Sequence, residues 1–487
     1  MASSLSSAHR LLLDWQRSEK MLRTLLFELE KRIWLVVSLL VVVAVQFSPT
    51  PAGLDFKGKQ MLAIVIMAII LYITEPVPLP AVATLIVLFQ ALYHVEAPRE
   101  LARSLMSDSL LFIISTLILA AAVIKQNLDQ RLLWFLLKLT GPSVSVVLLG
   151  FLVTCALLTS FIGESATASI MLPVVLVLLK LFSEDKHEHP RFSAVLMFGI
   201  AFGCAYSGIG TPSGGARNAI MLEYWDRLGA VHVSYLQWIR YGYPLLLLQI
   251  PLLYFVVRGS LPFESVALRG TMVRLRRRMR AVGSLHPRDW ITIAIMMLTI
   301  LAWVFLSSTW GLGIPGIFGV SLMMIFGILD WEDINHRVNW GVIMLYAGSV
   351  SMGVGVYTSG AADWLGLALT NLLNDHGLNH GLVLYAAVGL VAMALASMTG
   401  TAGSVAILGP VVLRLSALTH DNPVVMGMVL VVTAAAANFT PMSSPACTII
   451  YGSGLVRSRD FLKVGWKMSL VSFVLTMILA RYVWPYM

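Results

Sequence analysis

Apolar positions in this chain come in unbroken blocks rather than in stripes. IWLVVSLLVVVAVQF (33–47), MLAIVIMAIILYI (61–73), LLFIISTLILAAAVI (110–124) and WITIAIMMLTILAWVFL (290–306) contain no charged residue. A helix that is apolar all round suits lipid, and about 20 such residues cross a hydrocarbon core. The pattern predicts spans near 33–48, 59–74, 79–95, 108–125 and 236–257, and then 289–307, 314–329, 338–358 and 464–486. Two longer apolar segments, 142–227 and 380–455, are interrupted by small residues and proline. The chain therefore reads as an all-α polytopic membrane protein.

Composition agrees. Of 487 residues, 58% are hydrophobic and 12% charged, and the mean hydropathy is +0.83. A soluble domain lacks the interior to hide so much apolar surface. The net charge of +9 is not spread along the chain. Six basic residues precede the first span (Arg10, Arg17, Lys20, Arg23, Lys31, Arg32), and eight arginines lie between Arg258 and Arg288, including RLRRRMR at 274–280. Basic segments beside spans are the positive-inside signal, so segment 1–32 and the loop 258–288 are expected in the cytoplasm, and no nucleic-acid partner is implied. Anionic-lipid binding by RLRRRMR is the lesser reading. Segment 1–32, with leucines among charges, reads as an amphipathic interfacial helix rather than a cleaved leader.

Catalytic chemistry finds no support. Cys155, Cys204 and Cys447 lie in apolar surroundings without metal or disulfide spacing, and His376 and His380 sit in a polar loop. No HExxH or GxSxG occurs.

The basic loop divides two membrane halves, 33–257 and 289–487, that echo each other. TSFIGESATASIMLPVVL answers ASMTGTAGSVAILGPVVL, and TPSGGARNAI (211–220) answers TPMSSPACTI (440–449). Glu164 and Thr401, at the centres of the small-residue knots, each stand nine positions before a proline, Pro173 or Pro410. Each half is thus expected to hold a hairpin (142–182 and 380–416) and a broken helix (190–227 and 424–455). An odd number of spans between equivalent elements makes the copies inverted, and inverted repeats with broken helices point to a transporter's binding site.

Gly, Ser, Thr and Pro cannot carry a helix through 206–216 or 439–447 without freeing backbone groups. Freed amides attract anions and freed carbonyls attract cations. A single small-residue knot is more often a packing device than a site, but four knots paired by repeat favour a site.

These residues also resemble the divalent anion:sodium symporter family of dicarboxylate, citrate and sulfate transporters. ITEPVPLPAVATLIVL (73–88), NWGVIMLYAGSVSMGVGVYTSGAADWLG (339–366), NAIMLEYW and TIIYGSGLVRSRDFLKVGWKMSL match its motifs in order, from roughly Leu62 to the C-terminus. The resemblance implies about eleven transmembrane helices plus two re-entrant hairpins in two inverted repeats, an elevator-type mechanism and a homodimer. It also implies integral placement in a bacterial inner membrane. The sequence departs from the family at both tips: Ser-Asn-Thr is replaced by Gly163-Glu164-Ser165 and Gly400-Thr401-Ala402. Arg217 stands where the first loop's second proline is expected, and Pro445-Ala446-Cys447 where Pro-Pro-Asn is expected.

Glu164 is the one carboxylate inside the first knot, and an intramembrane carboxylate asks for a partner. Three readings stand: a pair with Arg217, a proton carrier, or a sodium ligand. Glu223 and Asp226 are alternative partners for Arg217; Lys125, Lys138 and Lys180 are read as snorkelling, Asp363 as a helix-edge residue, and Glu75 as an interface anchor. The substrate-binding candidates are Ser165, Thr167, Ser213, Gly215, Arg217, Asn218, Thr401, Ser404, Ser443 and Ser444. The ion-coupling candidates are Glu164, Gly163, Thr211, Thr399, Gly400 and Thr440, with Na+ placed at Glu164, Thr211, Thr399 and Thr440. The expected activity is secondary transport of a C4-dicarboxylate, a tricarboxylate or a similar divalent anion. Sodium, protons or anion exchange would drive it, with no other cofactor. The alternative is a proton/cation antiporter with Glu164 as its ion-carrying carboxylate.

Overall fold

The computed structural model describes residues 32–74, 76–128, 131, 144–182, 190–229, 231–261, 285–375, 381–441 and 443–487. Segment 1–31, Glu75, Lys138, the RLRRRMR run, His376 and His380 lie outside the described residues, as does the Lys180 side chain. Among the described residues every regular element is a helix.

The first half opens with α1 (Arg32–Phe47), then α2 (Phe56–Thr74), α3 (Leu79–Leu92), a short polar α4 (Pro98–Leu105) and α5 (Asp108–Lys125). The first hairpin is α6 (Val144–Ile162) and α7 (Glu164–Phe182); α8 (Pro190–Ser207) and α9 (Ala216–Arg227) flank the first break; α10 (Tyr235–Ser260) closes the half. The second half repeats the order. It runs α11 (Pro287–Trp310), α12 (Gly313–Ile325), short α13 (Trp331–Arg337), α14 (Trp340–Thr358) and α15 (Ala361–Asp375), whose matching stretch in the first half lies outside the described residues. The second hairpin is α16 (Gly381–Thr419), α17 (Pro423–Ala435) and α18 (Pro445–Tyr451) flank the second break, and α19 (Ser458–Tyr482) ends the half. Eight helices among the described residues are long and apolar enough to cross a membrane by length and composition, and six shorter apolar helices accompany them. Three of the short ones, α1, α3 and α12, correspond to predicted spans or parts of them; α7 belongs to the first hairpin, and α8 and α17 to the two expected broken helices.

Contacts obey a pseudo-two-fold relation. Helix α5 packs on α12 while its counterpart α14 packs on α3; α4 lies on α14 while α13 lies on α5; α10 meets α19, its own counterpart. Each post-break helix crosses to the opposite hairpin, α9 onto α16 and α18 onto α7. Leaving aside α1, which precedes the repeat, the unit of α2, α3, α5, the α8–α9 pair and α10 counts five crossings, an odd number, so the copies are inverted.

Local chemistry fixes the joints. Ser107 caps α5 by accepting the Leu110 amide at 3.2 Å. The neighbouring Asp108 carboxylate accepts the Leu312 and Gly313 amides at 2.8 and 2.9 Å, pinning the start of α12 to α5. Large apolar side chains are left exposed on α10, α11 and α12, such as Leu247, Phe305 and Ile325, as an apolar environment around these helices requires. Lys125, expected to snorkel, is instead ion-paired to Asp333 of α13, with Asp330 at 3.9 Å. Asp333 lies on α13, outside the spans, and Lys125, at the end of α5, pushes its carboxyl down to about 2.

Candidate functional site

Both hairpin tips are single-residue turns at glycine. Gly163 has φ 82° and Gly400 φ 77°, a left-handed backbone that glycine adopts without the steric cost of a Cβ. In each half the hairpin tip rests on the break that follows. The Thr211 hydroxyl donates to the Ser160 carbonyl, three residues before Gly163. The Thr440 hydroxyl donates to the Ser397 carbonyl, three residues before Gly400, at 2.9 Å. The repeat read from sequence thus recurs as one hydrogen bond made twice. Because each tip ends at a helix break, the hairpins turn back inside the protein.

The first site is tied down further. Ser213 donates to the Ser160 carbonyl at 2.8 Å, and its hydroxyl lies 3.1 Å from that of Tyr235. Asn218 donates to the carbonyls of Gly208 and Thr211 at 2.6 and 2.8 Å, closing the non-helical stretch. Glu164, first residue of α7, meets Arg217, in the first turn of α9, at 3.1 Å. Their side chains are 6% and 1% exposed. Arg217 also donates to the Ala205 carbonyl at 3.2 Å, and its Nε is buried without a partner. Of the three readings of Glu164, the structure displays the pair. Glu223 and Asp226 do not reach Arg217: Glu223 pairs with Arg227 and accepts the Ser109 amide, and Asp226 meets His232 at 3.2 Å. Asp363 pairs with Arg414, joining α15 to the second arm of α16.

Among the described residues the second site holds no ion pair. The Ser443 carbonyl accepts the Thr401 amide at 3.2 Å. Ser443 donates to the Thr440 carbonyl at 2.7 Å and to Asn438 Oδ1 at 3.3 Å. Ser444 caps α18 by accepting the Cys447 amide. Tyr206 links the breaks, donating to the Ala436 carbonyl at 3.3 Å.

Several hydroxyls read as ligands already have backbone acceptors. Thr167 donates to the Gly163 carbonyl, Thr399 to Leu395 and Ser404 to Ala392 across the second hairpin, at 2.8, 2.9 and 3.1 Å. Gly215 sits against the Arg217 guanidinium. Ser165, half-buried behind the first tip, keeps its hydroxyl unengaged among the described residues. Sequence reasoning missed the main-chain carbonyls of Ser160, Ser397 and Ala205, and the side chains of Tyr206, Tyr235 and Asn438. Ser160 and Ser397 occupy matching places in the repeat and were findable there; the two tyrosines carry no such signal.

The family described as the sodium:sulfate symporter transmembrane region matches residues 29–487. This chain belongs to that family. Relatives from the same comparison include the sodium-dependent dicarboxylate transporter SdcS of Staphylococcus aureus USA300, 25% identical over 460 residues, covering 89% of this chain and 88% of the relative. SdcS of Staphylococcus saprophyticus is 23% identical with the same coverage, and a membrane protein of Cupriavidus necator is 26% identical over 93% of this chain and 91% of its own. Solved structures share the fold. MtrF of Neisseria gonorrhoeae has a TM-score of 0.56 at 14% identity, over 91% of this chain and 98% of its own. The YdaH transporter of Alcanivorax borkumensis has a TM-score of 0.53 at 12% identity, over 78% and 86%. The chain is an integral membrane transporter of divalent anions and not an enzyme.

Proposed function

We propose that this protein is a secondary transporter of a C4-dicarboxylate or a similar di- or tricarboxylate, working as an elevator in which the two hairpins and two broken helices move together. The observation that carries the reading is the paired construction of the tips. Helices α7, α9 and the second arm of α16 all begin at a tip or a break, and their N-termini favour a carboxylate. Substrate contacts are assigned to the amides and hydroxyls at Ser165 and Gly215 and to the Thr401 hydroxyl, with Ser213, Asn218, Ser404, Ser443 and Ser444 shaping the backbone that presents them. The dicarboxylate assignment draws on the SdcS relatives, which are named as sodium-dependent. Sodium is accordingly the first coupling ion to test, with protons and anion exchange as the other drives. A homodimer in a bacterial inner membrane, with residues 1–32 and 258–288 cytoplasmic, completes the proposal; the dimer rests on the family resemblance. The Glu164–Arg217 bond speaks against the antiporter reading, because a carboxylate held by arginine is not free to carry an ion.

Proteoliposome uptake of labelled succinate tests the reading, under a sodium gradient, a proton gradient, or with unlabelled succinate inside. Accumulation above protein-free liposomes under at least one drive is the expected result. No uptake of succinate, citrate or sulfate under any drive overturns it.

A further inference from the structure

The first break holds a positive charge that the second lacks, and it sits where a helix end has left carbonyls without their usual partners. Helix α8 stops at Ser207, so its last carbonyls lose the amides that a continuing helix would bring. Two side chains from the first turn of α9 reach back to this end, Arg217 to the Ala205 carbonyl of the last turn and Asn218 to the Gly208 carbonyl just beyond it. The C-terminal end of α8 also carries the negative pole of its macrodipole, and Glu164 adds a full negative charge. Carboxylate, main-chain carbonyls and exclusion of water are the make-up of a cation site.

The backbone is shaped to the guanidinium. A Cβ at Gly208 would lie 2.6 Å from Arg217 Nη2, and one at Gly215 would lie 3.0 Å from Nη1. In the second half, counting from Thr440 as from Thr211, the positions of Gly208, Arg217 and Asn218 are held by Ala437, Ala446 and Cys447. Cradle and charge are absent there together.

We propose that Arg217 is a tethered substitute for a bound monovalent cation, so that any coupling cation is held by the second half alone. A dissociable cation couples transport to its gradient because it is released on the far side. A guanidinium fixed to the chain returns with the carrier and couples to nothing. The consequence for stoichiometry rests on the transport reading above; the occupancy itself does not.

Thermal melting of the purified full-length protein in detergent tests the occupancy without any substrate. Sodium chloride is exchanged for choline chloride at constant ionic strength. Removing the guanidinium by Arg217→Ala leaves Glu164 and the carbonyls around a hole that sodium can fill. The variant's Tm then climbs with sodium more steeply than the parent's, by a near-constant step for each tenfold increase above Kd. In Glu164→Gln/Arg217→Ala the added response disappears. An Arg217→Ala response no larger than the parent's overturns the proposal. If that variant is not recovered from the membrane, Arg217→Lys carries the test: it matches the parent's sodium response, and a larger response overturns the proposal.

Discussion

The two tip-and-break sites are built from one plan and differ most in charge. Both turn at a left-handed glycine and both dock a threonine hydroxyl onto a carbonyl three residues before it. Among the described residues only the first is held by charge. Glu164 and Arg217 bond across it, while the second relies on Ser443, Asn438 and Ser444 bonding to neighbouring groups. The lesson is that shared geometry requires tip glycine and threonine, whereas charge can be added to one copy without disturbing that frame. It is added as a pair because a lone buried charge is too costly.

The comparison breaks most severely at Arg217. Arg217→Ala strands Glu164 in the interior, and about 3–5 kcal/mol of stability is expected to go. Thermal melting in sodium-free detergent reads that loss, and Ala446→Gly, at the matching place in the second half, stays within about 1 kcal/mol. Next comes Gly208→Ala, whose Cβ collides with the guanidinium. It is expected to cost about 1–3 kcal/mol as an overpacking change, although the second half already carries alanine at the matching Ala437. The tips should respond alike: Gly163→Ala and Gly400→Ala each force a side chain into positive φ at about 1–2 kcal/mol. Unequal melting shifts would mean the tips are not equivalent. Smaller still, Thr211→Val and Thr440→Val each lose the hydroxyl's bond to the hairpin carbonyl, about 0.5–1.5 kcal/mol.

A last prediction lies outside the membrane. Lys125 holds the Asp333 carboxyl down at about 2, below the ordinary value near ~4. Its folded-state value is depressed, so the stabilisation is present above about pH 4 and fades as pH falls toward 2. In a pH series of melting temperatures, Asp333→Asn differs from the parent at pH 6, and the gap narrows on acidification. A gap that widens there contradicts the assignment.

Much of this frame was legible in the sequence because membrane spans announce themselves by composition. The predicted span 108–125 coincides with α5 (Asp108–Lys125), and both breaks fall where proline and small residues interrupt apolar runs. Helices α4 and α13 were not foreseen, because they are polar and only 8 and 7 residues long, too short to show a period. The crossing of α9 onto the second hairpin and α18 onto the first is a tertiary fact with no local signature. At the site, charge was readable and hydroxyl use was not. Glu164 and Arg217 stand out in a greasy segment, but nothing in the sequence tells that Thr167, Thr399 and Ser404 donate to backbone carbonyls. Main-chain carbonyls leave no mark in a sequence at all.

The contrast between the sites rests on Glu164 and Arg217 acting as one unit, and a double-mutant cycle measures that directly. Melting would be followed for the parent, Glu164→Gln, Arg217→Ala and the combined variant, in choline chloride so that no sodium takes the vacated place. The account predicts that each single variant is well below the parent and that the combined variant recovers much of the loss, a coupling of about 2–3 kcal/mol. Losses that simply add would show that the two charges stand side by side without depending on each other, and the difference drawn here between the two sites would fall.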